Sequence, residues 1–300
     1  MIRIGTRKST LALWQANQVK DQLDALGAQT VIVPIESEGD QNLTDPLYQM
    51  GIQGIFTKAL DQALLLNKID LAVHSLKDVP TLMAQGIEIS AVLARGSHWD
   101  VLVPRQENTP LPKKNCIGTG SLRRKAQWLR RYPNYSVENL RGNVQKRIEK
   151  LNHSTWEGAI FAQAGLERLG LKNLNYETLD WMIPAPAQGI VGIASLVTNT
   201  KLHPLLIQMN CTLTALCATV ERTFLNTLEG GCTAPIGAFS EIKNNTLYFK
   251  GGLFSLDGKD AILLEEEVLV NHAAEFGIKA AQKILAQGGA SLMQQIKSQM

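Results

Sequence analysis

The stretch Cys116-Ile-Gly-Thr-Gly-Ser-Leu-Arg-Arg-Lys-Ala-Gln-Trp-Leu-Arg-Arg131 decides the fold. A short apolar strand over 116–118 runs into a glycine- and hydroxyl-rich turn, and helical spacing follows over 121–131. The same unit recurs on both sides. Downstream, 137–140 leads to a helix over 143–151, and 159–162 leads to one over 164–169. Upstream, 2–4 is a strand. Leu11, Trp14, Gln18, Val19, Gln22, Leu23 and Leu26 then line one side of a helix entered through Ser9 or Thr10. A strand over 31–35, a helix over 56–66 and an apolar strand over 69–73, closed by His74 to Pro80, complete the run. Strand, loop and helix in this order predict α/β architecture: mostly parallel sheets covered on both faces, with ligands at the carboxyl ends of the strands. The polar stretch 95–114, interrupted by a strand over 101–103, is a candidate crossing between two such domains.

After residue 210 the pattern changes. Leu213, Leu216, Val220, Phe224 and Leu228 mark a helix that Gly230-Gly231 would terminate, since glycine enters the left-handed conformation at little cost. Strands over 236–242, 247–254 and 262–270 follow, joined at Asn244-Asn245 and Asp257-Gly258, which are hairpin signals. A final helix over 273–286 would cover one face, giving a small α+β domain.

The 300 residues and 45% hydrophobic content suffice for two or three domains. No signal-peptide pattern opens the chain, and no apolar run approaches the ~20 residues of a membrane span. Cys116, Cys211, Cys217 and Cys232 form no CxxC pair, and the five histidines stand singly, so reduced thiols, a cytoplasmic location and no metal site are expected. The net charge of +3 conceals an asymmetry: residues 113–150 hold eleven basic and two acidic side chains, leaving −6 elsewhere. Such a region implies an anionic partner, whether nucleic acid, phosphate or carboxylate.

Arg123 and Arg124 fall in the first turn of their helix, where the dipole is already positive, so an anion should join them; the preceding Thr119, Gly120 and Ser121 offer it further donors. Arg130 and Arg131 suit the opposite end of the helix and need no ligand. The Gly118-x-Gly120 pair is no dinucleotide loop, because Arg123 occupies the third glycine position. Arg7, Ser9, Arg141, Gly142, Arg147 and Arg168 also lie near strand ends or helix starts, and converging guanidinium forks suit a polycarboxylate ligand. Asp78, beside Lys77, is either a turn residue or a carboxylate kept ionised by cationic neighbours, able to stabilise a cation or relay protons. Cys232 sits in a loop and can act as a nucleophile; the other cysteines look like packing residues.

These residues resemble the porphobilinogen deaminase (hydroxymethylbilane synthase) family. The matching stretches are Ile4-Gly-Thr-Arg-Lys-Ser-Thr-Leu-Ala-Leu-Trp14, Ala72-Val-His-Ser-Leu-Lys-Asp-Val-Pro80, Gly118-Thr-Gly-Ser-Leu-Arg-Arg124, Leu140-Arg-Gly-Asn-Val144, Ala164-Gly-Leu-Glu-Arg-Leu-Gly170 and Leu228-Glu-Gly-Gly-Cys-Thr-Ala-Pro-Ile-Gly237. The resemblance implies head-to-tail condensation of four porphobilinogen molecules with loss of ammonia, and release of hydroxymethylbilane by hydrolysis. It implies a dipyrromethane cofactor joined by a thioether to Cys232, with Asp78 catalytic. Lys77, Asp78, Thr119, Ser121, Arg123, Arg124, Arg141 and Gly142 would hold the cofactor. Arg7, Ser9, Lys58, Ser75, Arg141, Arg147 and Arg168 would bind the substrate.

The implied fold has two doubly wound, periplasmic-binding-protein-like domains, 1–94 with 190–208 and 98–187. A third domain, 212–300, carries the cofactor cysteine and a three-stranded antiparallel sheet. A monomer acting on porphobilinogen, with neither nucleic acid nor membrane as partner, is expected. Four departures from the family pattern bear on lid closure and turnover: Gln53 for lysine (Lys58 remains), Gly120 for serine, Ala187 for glycine and Cys217 for arginine. A solute-capture receptor, a nucleic-acid binder and a catalytically weakened paralogue that keeps the cofactor are the competing readings, the last separable by turnover of porphobilinogen. The absent signal peptide weighs against the first, and the scarcity of aromatic residues in the basic segment against the second.

Overall fold

The computed structural model describes residues 1–36, 57–106, 114–171, 173–229 and 234–299. The chain begins β1 (Ile2–Arg7), α1 (Thr10–Ala25), β2 (Thr30–Ile35), α2 (Lys58–Leu65), β3 (Leu71–Ser75), β4 (Ile87–Val92). It continues β5 (Asp100–Pro104), β6 (Cys116–Gly118), α3 (Leu122–Arg131), β7 (Ser136–Glu138), α4 (Val144–His153), β8 (Gly158–Ala162), α5 (Gln163–Arg168), β9 (Glu177–Thr178). Then come β10 (Val191–Leu196), α6 (His203–Met209), α7 (Thr212–Thr227), β11 (Ile236–Lys243), β12 (Thr246–Phe254), β13 (Ala261–Leu269), α8 (Phe276–Ile284) and α9 (Ala290–Gln299).

Among the described residues these strands form two five-stranded sheets, β2-β1-β3-β10-β4 and β7-β6-β8-β5-β9, and a three-stranded sheet β11-β12-β13. The α/β expectation holds for the first two and the antiparallel one for the third. The expectation of mostly parallel sheets holds by strand direction, four of five strands in each large sheet running the same way, but one reversed strand enters each. β1 pairs in parallel with β2 and β3, and β6 with β7 and β8, but β10 runs antiparallel to β3 and β4, and β5 antiparallel to β8 and β9. The cause is long-range. The chain leaves the first sheet after Val92 and returns only at Val191, and each crossing inserts a reversed strand. The candidate crossing over 95–114 is narrowed, since β5 already belongs to the second sheet.

Local chemistry starts the helices as the sequence suggests. The Ser9, Ser121 and Asn143 side chains accept from the backbone N–H groups of Ala12, Arg124 and Lys146, satisfying donors that a helix start leaves unpaired. The inward face of α1 differs from expectation. Ala12, Gln15, Ala16, Val19 and Leu23 are buried, Leu26 is exposed, Leu11 faces a cleft, and Trp14 lies under the Arg168 guanidinium. Leu11 thus serves the cleft, while Ala16, Val19 and Leu23 meet the sheet.

In the third sheet, Asn244 and Asn245 both take positive φ and turn the first hairpin, as Gly258 does in the second. Its core gathers Val220, Phe224, Phe249, Phe276 and Ile284. Two expectations fail here. Leu213 is exposed, and Glu229 is a left-handed residue after α7, so the helix has ended before Gly230-Gly231, which lie outside the described residues. The final helix is also interrupted at Gly288, with φ 102°, and Leu292, Met293 and Ile296 of α9 join the core. Glu221 of α7, fully buried, ties this unit to the crossings between the larger sheets: its carboxylate accepts from Arg95 at 2.7 and 2.8 Å, from Ala187 N at 2.7 Å and from Ser240 N at 2.7 Å.

Candidate active site

A cleft of about 290 Å³ opens at the carboxyl ends of the parallel strands, where the α/β rule places ligands. Arg7 and Ser9 reach it after β1, and Ser75, Lys77 and Asp78 after β3. Ser121, Arg123 and Arg124 come from the turn and helix after β6, and Arg141, Gly142 and Arg147 from the loop and helix beyond β7. Arg168 closes α5. Apolar contacts come from Leu11, Phe161 and Ile190. Of the expected residues, Thr119 and Lys58 do not line this cleft. Thr119 is buried and its hydroxyl accepts from Ser121 N at 3.3 Å, tying the turn, while Lys58 is exposed at the start of α2. Cys232 and Gln53 lie outside the described residues.

Among the described residues seven lining side chains are basic (Arg7, Lys77, Arg123, Arg124, Arg141, Arg147 and Arg168), against one acid, Asp78. Asp78 ends a single 3-10 turn, Leu76–Asp78, whose Leu76 is buried. Burial lowers the Lys77 ammonium to about 8, the Asp78 charge offsetting part of this, and its Nζ donates to Gln188 Oε1 at 3.2 Å. Burial likewise lowers Arg147 to about 10, the Arg124 charge adding to it, and Arg147 Nε donates to Gly142 O at 2.7 Å. Arg168 is lowered by burial and donates to Gly189 O at 2.6 Å. Cations withdrawn from water with so little opposing charge are poised for an anion.

The anion that Arg123 and Arg124 require is partly supplied from within. Asp100, fully buried at the start of β5, accepts from Arg123 Nη1 at 2.7 Å, from Arg124 Nε at 2.9 Å and from Gln188 Nε2 at 3.0 Å. Burial alone would raise its carboxyl, but the two guanidiniums hold it well below the usual carboxylate range. Carbonyls of Ile183 and Ile160 take further N–H groups of the two arginines. Two cations on one carboxylate leave a net positive charge facing the cleft. Sequence reasoning missed Asp100 and Gln188. The signals were an acid heading an apolar strand, and a cation pair at a helix start lacking a local counter-charge. Arg130 and Arg131 meet the Lys259 carbonyl and the Trp181 ring, away from the cleft lining.

Two of the family departures have structural meaning. At Gly120 a Cβ would sit 2.6 Å from Leu140 O. Ala187 is fully buried at φ 60°, a left-handed conformation that disfavours a Cβ. Cys217 is buried on α7 beside Ser240, whose hydroxyl donates to its carbonyl. Among the described residues no group of acids, histidines or cysteines could hold a metal, and no helix is long and apolar enough to cross a membrane.

Residues 2–203 match the family model described as porphobilinogen deaminase, dipyromethane cofactor binding domain, and residues 215–286 match the porphobilinogen deaminase C-terminal domain. The chain is 38% identical to the porphobilinogen deaminase of Desulforamulus reducens, covering 99% of this chain and 98% of that one. It is 38% identical to that of Carboxydothermus hydrogenoformans, covering 98% and 96%. Among solved structures it is similar to the Bordetella pertussis BvgS VFT2 domain, at 12% identity and TM-score 0.41 over 68% of this chain and 84% of that one. It is also similar to the GluR0 ligand-binding core of Nostoc punctiforme, at 14% identity and TM-score 0.39 over 70% and 91%.

Proposed function

This chain belongs to the porphobilinogen deaminase family, and on that premise we propose that the cationic cleft holds a dipyrromethane tethered through a thioether to Cys232. The reaction is that of hydroxymethylbilane synthase, a transferase of tetrapyrrole biosynthesis. Four porphobilinogen molecules condense head to tail, each losing ammonia, and water releases hydroxymethylbilane.

The observation that carries the reading is the seven-to-one excess of basic over acidic side chains lining the cleft. Every pyrrole of this chemistry bears an acetate and a propionate, so the donor set fits the cofactor. When bound, the dipyrromethane supplies a covalently held primer with a nucleophilic free end. Lys77, Ser121, Arg123, Arg124, Arg141 and Gly142 would hold its carboxylates, with Thr119 supporting the turn. Arg7, Ser9, Ser75, Arg147 and Arg168, with Arg141, would orient the incoming porphobilinogen, while Lys58, exposed at the start of α2, lies off the cleft lining. Each charged hydrogen bond contributes roughly 1.5 to 3 kcal/mol, so several guanidinium forks position a substrate strongly. Asp78 would face the positive charge that develops on the pyrrole as ammonia departs, and would be placed to accept the α-carbon proton whose loss restores aromaticity once the new carbon–carbon bond has formed. The apolar lining would exclude water from the reacting carbon.

In this reading the three sheets belong to domains 1–94 with 190–208, 98–187 and 212–300. The enzyme is cytoplasmic and monomeric, with no nucleic-acid or membrane partner. Intact-mass measurement tests the tether: purified protein should carry the added mass of one dipyrromethane, and Cys232→Ser should lack it. An unmodified protein with full turnover would overturn the assignment.

A further inference from the structure

The loop that carries Asp78 is gripped from behind by a cation that the cleft chemistry leaves unused. Arg222, half-buried on α7, donates from Nη1 to the carbonyls of Leu76 and Val79 at 3.3 and 2.9 Å, and from Nη2 to that of Pro80 at 2.7 Å. One helical turn on, Asn226 Oδ1 accepts from the Thr81 hydroxyl at 2.9 Å. The backbone on both sides of Asp78 is thus bonded to one face of α7. Among the described residues no carboxylate pairs with Arg222; burial lowers its guanidinium to about 10, and no acid offsets that.

A cavity of about 310 Å³ lies beside these contacts, lined by Leu76, Thr81, Ala218, Arg222 and Asn226 among others. Leu76 and Val79 pack into a small apolar cluster with Val92, Ala187, Ile190 and Ala218, which anchors the side chains of the loop. The peptide planes, which set where the Asp78 carboxylate points, are held directly by the guanidinium fork. A half-buried cation spent on neutral carbonyls costs desolvation without the gain of an ion pair, so general stability gives little reason for it. Orientation gives one. The planar fork makes several bonds in a fixed geometry, whereas an ammonium would grip fewer of them at once.

We propose that Arg222 is a positioning residue for the reaction, locking the 76–80 backbone so that Asp78 meets the reacting pyrrole in productive geometry. This rests on the assignment of Asp78 as the reacting carboxylate. Small misplacements of a reacting group cost large factors in rate, so the loss should appear in kcat rather than in binding.

The test compares Arg222→Met and Arg222→Lys with the parent, all shown by intact mass to carry the cofactor. Arg222→Met should lose about tenfold in kcat per loaded molecule with KM within twofold, and amide hydrogen exchange in the 76–81 peptide should accelerate. Arg222→Lys, able to keep part of the grip, should recover a several-fold share of the lost kcat. A parent-like kcat in Arg222→Met overturns the proposal, and so does an unchanged exchange rate at 76–81. Should Arg222→Met fail to fold, the same two readings on Arg222→Lys decide, parent-like values overturning the idea. Asp78→Asn separates the premise. If it keeps full turnover, the Asp78 assignment itself fails. If it is impaired while Arg222→Met turns over normally, only the positioning role fails.

Discussion

Replacing Asp100 by asparagine keeps the shape of the side chain and removes the one charge that Arg123 and Arg124 share. The parent carboxylate is fully buried and takes contacts of 2.7 Å from Arg123, 2.8 and 2.9 Å from Arg124, and 3.0 Å from Gln188. The amide can accept with one oxygen, but its NH2 would point at a guanidinium, donor against donor. Breaking a buried ion pair by neutralising one partner costs about 3 to 5 kcal/mol. With a urea slope near ~3 kcal/mol/M, that lowers the unfolding midpoint by about 1 to 1.7 M.

The pH dependence supplies the sign. Because the folded state holds the Asp100 carboxyl below its ordinary range, its contribution is fully present above the unfolded value of about 3.9 and is lost as pH falls through the folded value. The gap between parent and Asp100→Asn should therefore be constant near neutrality and shrink only below about pH 4. Urea melts of cofactor-loaded protein at several pH values measure both effects. A midpoint within about 0.3 M of the parent at pH 7, well inside the slope-based shift above, would refute the view that this carboxylate sustains the arginine pair.

Other substitutions probe separate links. Ala187→Gly should stabilise the protein by about 0.5 to 1 kcal/mol in the same melts, the relief of a left-handed alanine exceeding the added chain entropy of glycine. Gly120→Ser should destabilise by about 1 to 3 kcal/mol, because its Cβ meets the Leu140 carbonyl, and should lower the fraction of molecules carrying cofactor. Asp78→Asn should reduce turnover by about 10² while the cofactor mass remains, since only the proton-transfer group is lost. Parent-like steady-state kinetics in that variant would remove Asp78 from the mechanism.

Much of the site could be read from residue order because strand, turn and helix units are local. Ser121 and Asn143 cap the helices that their spacing announced, and Arg7, Arg124, Arg147 and Arg168 all reach one cleft. The buried stripe of α1 was misjudged because Leu11 turns toward that cleft and Trp14 packs under the Arg168 guanidinium, choices that periodicity cannot express. The break at Gly288 was overlooked for a related reason: helical spacing resumes beyond it, and only the backbone angle reveals the kink.

Residue order by itself therefore determined the α/β class, the antiparallel C-terminal unit and the inventory of cationic side chains, since hydrophobic period, capping and turn chemistry act over a few neighbouring positions. Tertiary structure alone decided which partners those side chains took. Asp100 meets Arg123 across 23 residues, Gln188 meets Lys77 across 111, and Arg222 meets Val79 across 143. Such pairings exist only once two chain crossings have brought reversed strands into each large sheet, and no local pattern encodes that closure.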